Sequence, residues 1–210
     1  MNIDGREFRS EFYELMKDKI GNCLIYFCKE ADVPLSTALK LLYFTDETSV
    51  KKSGVPITWL EYNACKRGPV ACDVYFEANR LAKTNVKDVN LTLNDYINCF
   101  TIEEEDTSHV RISAKKPFDD SEFSDYEIKI LEEVKKKYGH MSSNKLSSLS
   151  HRKGGLWDKV CEANNLDQYF KIKNTQYSPY PVEFIPLIDN RAKELAYSSA
   201  YENLSYQKTF

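Results

Sequence analysis

The chain predicts an α+β fold, mainly α-helical, in which a compact helical domain carries a small β-hairpin or sheet element. Three observations lead there. Apolar residues recur at steps of three and four through most of the length, two capping-box patterns mark helix starts, and only a few short runs alternate in the manner of strands. Apolar residues make up 42% of the chain and charged residues 29%, a balance that supports a core rather than disorder. At 210 residues, one domain spanning 1–210 is the expectation.

The first helix is expected from near residue 5 to Lys29. Phe8, Phe12, Leu15, Met16, Ile20, Cys23, Leu24 and Phe27 form one amphipathic stripe, and Asp4 with Glu7 resembles a capping box. Val33-Pro34 opens a second helix whose apolar face holds Leu35, Ala38, Leu39, Leu41, Leu42 and Tyr43, with Gly54 as its stop. From Val55 to Val70 the helical period is lost. Leu60, Tyr62 and Ala64 alternate with Glu61, Asn63 and Cys65, which predicts a short strand or extended segment closed by a Gly68-Pro69 turn. Val70, Val74, Ala78 and Leu81 restore helical spacing as far as the polar stretch from Lys83 to Asp88. The runs Asn98 to Ile102 and His109 to Ala114, either side of the acidic patch Glu103 to Asp106, predict a hairpin ended by Pro117. Ser124 and Glu127 form a second capping box before Ile128, Leu131, Val134 and Tyr138, with Lys135, Lys136 and Lys137 near the C-terminus and Gly139 as the stop. Short helices follow around Leu146 and Leu149 and around Trp157 and Val160. A last one is expected from Asp189 to Asn203, within an aromatic-rich helical extension over 166–210.

Composition narrows function chiefly by exclusion. Lys and Arg number 29 against 32 Asp and Glu, a formal net charge of -3, so nothing pulls the whole chain toward nucleic acid or an anionic membrane. The first twenty residues mix charges throughout and no membrane-spanning run follows, so a cytoplasmic protein is expected. The six cysteines are then reduced thiols rather than bridges. Neither their spacing nor the three histidines form a zinc pattern, and no metal or cofactor is expected. A Gly-x-Ser-x-Gly elbow and a phosphate-binding Gly loop are both missing from the sequence.

One ordered set of motifs is more specific. Lys40, Leu41, Leu42, Tyr43, Phe44 and Asp46 lead to Gly54, Pro56, Ile57 and Thr58, then to Tyr62, Ala64, Lys66, Gly68, Pro69 and Val70. Much further on stand Leu149, Ser150 and His151, with Trp157 beyond. This order resembles the signature of the Panacea domain of SocA-like antitoxins, over roughly residues 20–165. Two positions depart from it: Arg67 stands where the family often has His, and Trp59 where a small residue such as Gly is common. The resemblance implies an antitoxin without catalytic residues that binds a cognate protein toxin encoded by an adjacent gene. Some relatives work as adaptors that hand the toxin to a protease. A nucleic-acid-binding regulator and an enzyme of unrecognised type are the rival readings, and a homo-oligomer stays open.

Several residues invite competing roles. Lys40 and Asp46 lie six apart, on different faces of one helix, and should have separate partners; Asp46 is expected to tie down the neighbouring extended segment through backbone donors. Ser150 beside His151 suggests proton transfer, against which stands a structural hydrogen bond or an N-cap. Cys65 and Cys72 lack the C-x-x-C setting that would lower a thiol pKa. Lys51-Lys52, Lys66-Arg67 and Lys115-Lys116 would make a basic face only if folding gathered them. Among the tail aromatics, Tyr180, Tyr197, Tyr201 and Tyr206 are the candidates for partner binding, since Tyr joins a large contact area to a polar tip.

Overall fold

The computed structural model describes residues 2–3, 6–7, 10–83, 92–104 and 107–209. Two short strands, β1 (Asn2–Ile3) and β2 (Arg6–Glu7), pair antiparallel ahead of the first helix. That helix, α1, runs Lys17–Cys28 rather than from residue 5. Asp4, the first residue of the expected capping box, lies outside the described residues, and Glu7 sits in a strand. Tertiary anchors decide the path instead. Ser10 donates from its amide (2.7 Å) and its hydroxyl (2.5 Å) to Asp73, and Tyr13 donates its hydroxyl to Glu77 at 2.8 Å. The chain therefore turns through 11–16 before α1 begins.

From Ile20 to Cys28 every residue of α1 is buried, so it is covered on all sides and not only along one stripe; Leu15, placed on that stripe by its spacing, is exposed. The second helix, α2 (Leu35–Ser53), follows the two-residue strand β3 (Val33–Pro34) and is the central element, buried almost continuously from Leu35 to Val50. It stops where the sequence places the stop. Gly54 takes φ 87°, a left-handed cap that glycine adopts without Cβ strain, and its amide donates to the Val50 carbonyl at 2.9 Å.

The stretch after α2 forms a tight hairpin, β4 (Asn63–Cys65) against β5 (Gly68–Val70), with Ala64 opposite Pro69. Gly68 and Pro69 thus belong to the second strand, and Lys66 and Arg67 make the turn. Helix α3 (Cys72–Lys83) and a 3₁₀ turn (Thr92–Asp95) lead to β6 (Ile97–Glu104) and β7 (Thr107–Ala114). These two pair antiparallel as the alternation predicts, and β3 adds to β7 to give the order β3-β7-β6. Residues 105 and 106 of the acidic patch lie outside the described residues.

Helix α4 (Asp125–Tyr138) starts with the predicted capping box: the Ser124 hydroxyl accepts from the Glu127 amide, and the Glu127 carboxylate accepts from the Ser124 amide at 2.8 Å. Then come α5 (Ser143–Ser150), α6 (Leu156–Ala163) and α7 (Leu166–Lys173). The last helix, α8 (Arg191–Lys208), extends beyond the expected Asn203. It differs from the others in having no buried residue. The core cluster runs from Phe12 to Val182 and draws on α1 to α7 and the sheet. Among the described residues no helix is long and apolar enough to cross a membrane.

Candidate functional site

The sequence motifs converge on the β4–β5 hairpin, against which α2, α5 and α6 pack. Tyr43, Phe44, Ile57 and Tyr62 are fully buried core residues, with Leu41, Leu42 and Ala64 beside them. Tyr43 packs edge to face on Phe44 and on Tyr62, while Phe44 stacks on Tyr138 at 4.4 Å.

Asp46, with no exposed surface, is the first polar node. Its Oδ1 accepts from the amides of Ile57 and Thr58, both at 2.8 Å, and its Oδ2 accepts from the Tyr62 hydroxyl at 2.8 Å and from the Thr58 hydroxyl. Burial pushes this carboxyl above the ordinary range, and the four donors oppose that. The expected structural role is therefore the one it plays: Asp46 closes the Gly54 to Tyr62 segment onto α2, with Pro56 buried inside it.

Lys40 makes the second node with separate partners, as its spacing from Asp46 predicts. Its ammonium donates to the Pro69 carbonyl at 2.8 Å. The side chain is buried without a carboxylate, and burial pushes its pKa down to about 8. Gly68 has φ 102°, and a Cβ there would lie 2.5 Å from Ser150 Oγ, 2.9 Å from Lys40 Nζ and 3.0 Å from His151 Nε2. Lys40 and, more than a hundred positions later, Ser150 and His151 therefore close on one glycine. His151 is the C-cap of α5, not an N-cap. Its ring stacks on Trp157 at 3.8 Å, and Trp157 donates to the Cys65 carbonyl at 2.8 Å. Ser150 donates to the Ser147 carbonyl at 2.9 Å, and Leu149 packs against the core. Burial and the nearby Lys40 hold His151 below its ordinary pKa, and its Nε2 is buried with no hydrogen-bond partner.

The hairpin also brings two thiols together. A hydrogen bond from Cys72 lowers the Cys65 pKa, aided by Lys40 and opposed by burial, while the Cys72 thiol is pushed up. A lowered thiol here runs against the sequence expectation, because the β4–β5 turn supplies a proximity that no C-x-x-C spacing announces. Glu47 was also invisible as a polar centre: it is buried, pairs with Arg152 at 2.7 Å and Lys51 at 2.9 Å, and ties α2 to the chain after α5. The basic pairs do not gather. Lys51 and Lys52 go to Glu47 and Glu133, Lys115 caps the Asn94 carbonyl, and Lys66 and Arg67 stand on the hairpin turn.

The tail candidates divide. Tyr197 and Tyr201 stack on one another at 6.2 Å and lie over Trp59 at 5.3 and 6.0 Å, with Phe12 edge-on to Trp59 and Tyr201. Tyr201 donates its hydroxyl to Glu11 at 2.9 Å. Trp59, Phe184 and Ile185 join them around a groove of about 370 Å³. Tyr206 is 67% exposed further along α8, and Tyr180 turns its ring to Tyr169 of α7. Trp59 was not among the expected binding residues, yet it holds φ 54°, a left-handed conformation that costs a bulky side chain about 1–3 kcal/mol. The sequence signal was the departure at Trp59 from the small residue that the resemblance implies there.

No curated protein and no solved structure matches the chain. The family model described as "Antitoxin SocA-like, Panacea domain" does match, over residues 39–158, more than half of the 210 residues. That interval opens just before Lys40 and closes just after Trp157, so it contains both polar nodes and omits α1, α7 and α8. Asp46 and Gly68 thus lie within the matched residues, and the chain belongs to the Panacea-domain family of SocA-like antitoxins.

Proposed function

We propose that the chain is an antitoxin that neutralises a cognate protein toxin by direct contact, without catalysis, through the aromatic face built by Trp59, Tyr197 and Tyr201. The functional unit is the whole chain, 1–210, acting in the cytoplasm, with the shared domain as scaffold and the tail as the specific surface. One observation carries this reading. A strained Trp59 and two stacked tyrosines line a groove on a helix that has no buried residue, with Ile185 48% exposed at its edge and Leu195 51% exposed on the same helix. Aromatic anchors of this kind dominate binding energy at protein interfaces.

The test is co-expression with the product of the adjacent gene. Growth arrest by that product alone, relief by this chain and co-purification of the two are the expected results. Tyr197→Ala with Tyr201→Ala should weaken the complex at least about a hundredfold while lowering Tm by only a few degrees. A harmless neighbour, or relief without a complex, overturns the reading; equal loss of folding and binding overturns the assignment of the face.

A further inference from the structure

Beside the β4–β5 hairpin, a second cavity of about 260 Å³ shares no lining residue with the aromatic groove. Its walls hold Lys40, Arg67, Ser147 and Asn144, with Tyr75 and Tyr177 beside them, and include no Asp or Glu among the described residues. Lys40 is only 4% exposed, and among the described residues its ammonium hydrogen-bonds to the Pro69 carbonyl alone, which leaves two of its three N–H groups without an acceptor among those residues. No carboxylate among the described residues pairs with Lys40 or with Arg67.

A buried ammonium is ordinarily paired, because removing it from water uncompensated is costly. Here the cost is retained, and a second cation is set at the mouth of the same cavity. The first turn of α5 adds to the positive field. Ser143 and Asn144 line the cavity, which places the N-terminal end of that helix dipole against it. Tyr75 and Tyr177, with ring centroids 5.5 Å apart and planes inclined at 48°, add aromatic surface to the wall. Cys65, whose thiol is lowered, also lines the cavity and favours the charged form of Lys40, but no carboxylate among the described residues faces Lys40, Arg67 and the helix N-terminus, which together can donate to an oxyanion.

We infer that this cavity is a binding site for a small organic anion, whose carboxylate or phosphate group is held between Lys40 and Arg67 and whose body lies against Tyr75 and Tyr177. The site is independent of the toxin-binding reading. It requires only the purified chain, and it would stand if the aromatic face proved to have another use.

Calorimetric titration of the whole protein with inorganic phosphate, glutamate and adenosine monophosphate tests the site and separates its sources. Saturable one-to-one binding of at least one probe is expected, with adenosine monophosphate tighter than phosphate if an aromatic body matters and glutamate tightest if the physiological group is a carboxylate. Arg67→Gln, an exposed change on a turn, should weaken binding about tenfold or more, the loss expected of one charge-assisted hydrogen bond. Lys40→Met should abolish it, and circular dichroism confirms the fold of each variant. Failure of all three probes to bind the wild type overturns the site, as does unchanged affinity in Arg67→Gln.

Discussion

Asp46 shows how one side chain can fix a junction. Its carboxylate takes four donors from Ile57, Thr58 and Tyr62, none of which has water as an alternative. Asp46→Ala leaves two amides and two hydroxyls unsatisfied in the core, and the cost should be roughly 3 kcal/mol or more, read as a shift in urea midpoint. Lys40 presents the opposite case, a buried charge whose presence lowers stability. Its pKa falls from 10.5 to about 8 on folding. Between those values the unfolded chain binds more protons than the folded one, so stability rises with pH across that window, and below pH 8 the folded state bears the full cost, about 3 kcal/mol. Arg67, His151 and Cys65 are the titratable groups around it, and of these Cys65 alone favours the charged form. Lys40→Met should therefore match or exceed the wild type in stability at pH 7 and lose the rise between pH 8 and 10, measured by denaturation at several pH values.

At the scale of elements, Trp59 links the family scaffold to the tail. Its φ of 54° suits glycine, while its ring holds Phe12, Tyr197 and Tyr201. Trp59→Gly and Trp59→Ala remove the same contacts, but only glycine relieves the backbone. The glycine variant should be the more stable of the two by about 1 kcal/mol, the reverse of the usual order, in paired denaturant melts. Legibility from sequence follows the range of the interaction. The capping box at Ser124 and Glu127, the Gly54 stop and the β6–β7 hairpin were readable because each depends on neighbours within a few residues. The start of α1 was not, because Ser10 answers to Asp73 and Tyr13 to Glu77, contacts that local pattern does not encode. The Gly68-Pro69 turn was displaced by two residues for a similar reason: Gly68 takes its left-handed backbone beneath Ser150, Lys40 and His151, which arrive from α2 and α5. The motif order identified the scaffold, and chain order alone could not reveal that Lys40 and His151 meet or that the cavity beside Lys40 lacks a carboxylate.

In the whole molecule, the parts divide by what they bury. Elements from α1 to α7 share one apolar cluster, and the region matched by the family lies within it. Helix α8 lies at the margin of that cluster: Leu204 packs against it, Lys193 Nζ donates to the Lys51 carbonyl at 2.5 Å, Tyr201 to Glu11, and Lys208 approaches Glu11 at 3.6 Å, around the contact of Tyr197 and Tyr201 with Trp59. Exposed ion pairs of this type contribute little, and the aromatic contact is partly open to solvent, so docking of α8 should add only about 1–3 kcal/mol. A chain ending at Asp189 is therefore expected to fold, with a Tm within roughly ten degrees of the intact protein and a circular dichroism loss equal to one helix. If α8 carries the specific surface, that shortened chain should leave toxin-induced growth arrest unrelieved and fail to co-purify with the toxin, while still titrating with the anion probes at unchanged affinity through Lys40 and Arg67. Relief of arrest by the shortened chain would return the toxin contact to the scaffold. Loss of anion binding from a folded shortened chain would show that the two faces are coupled through the β4–β5 hairpin, against the independence argued from their separate linings.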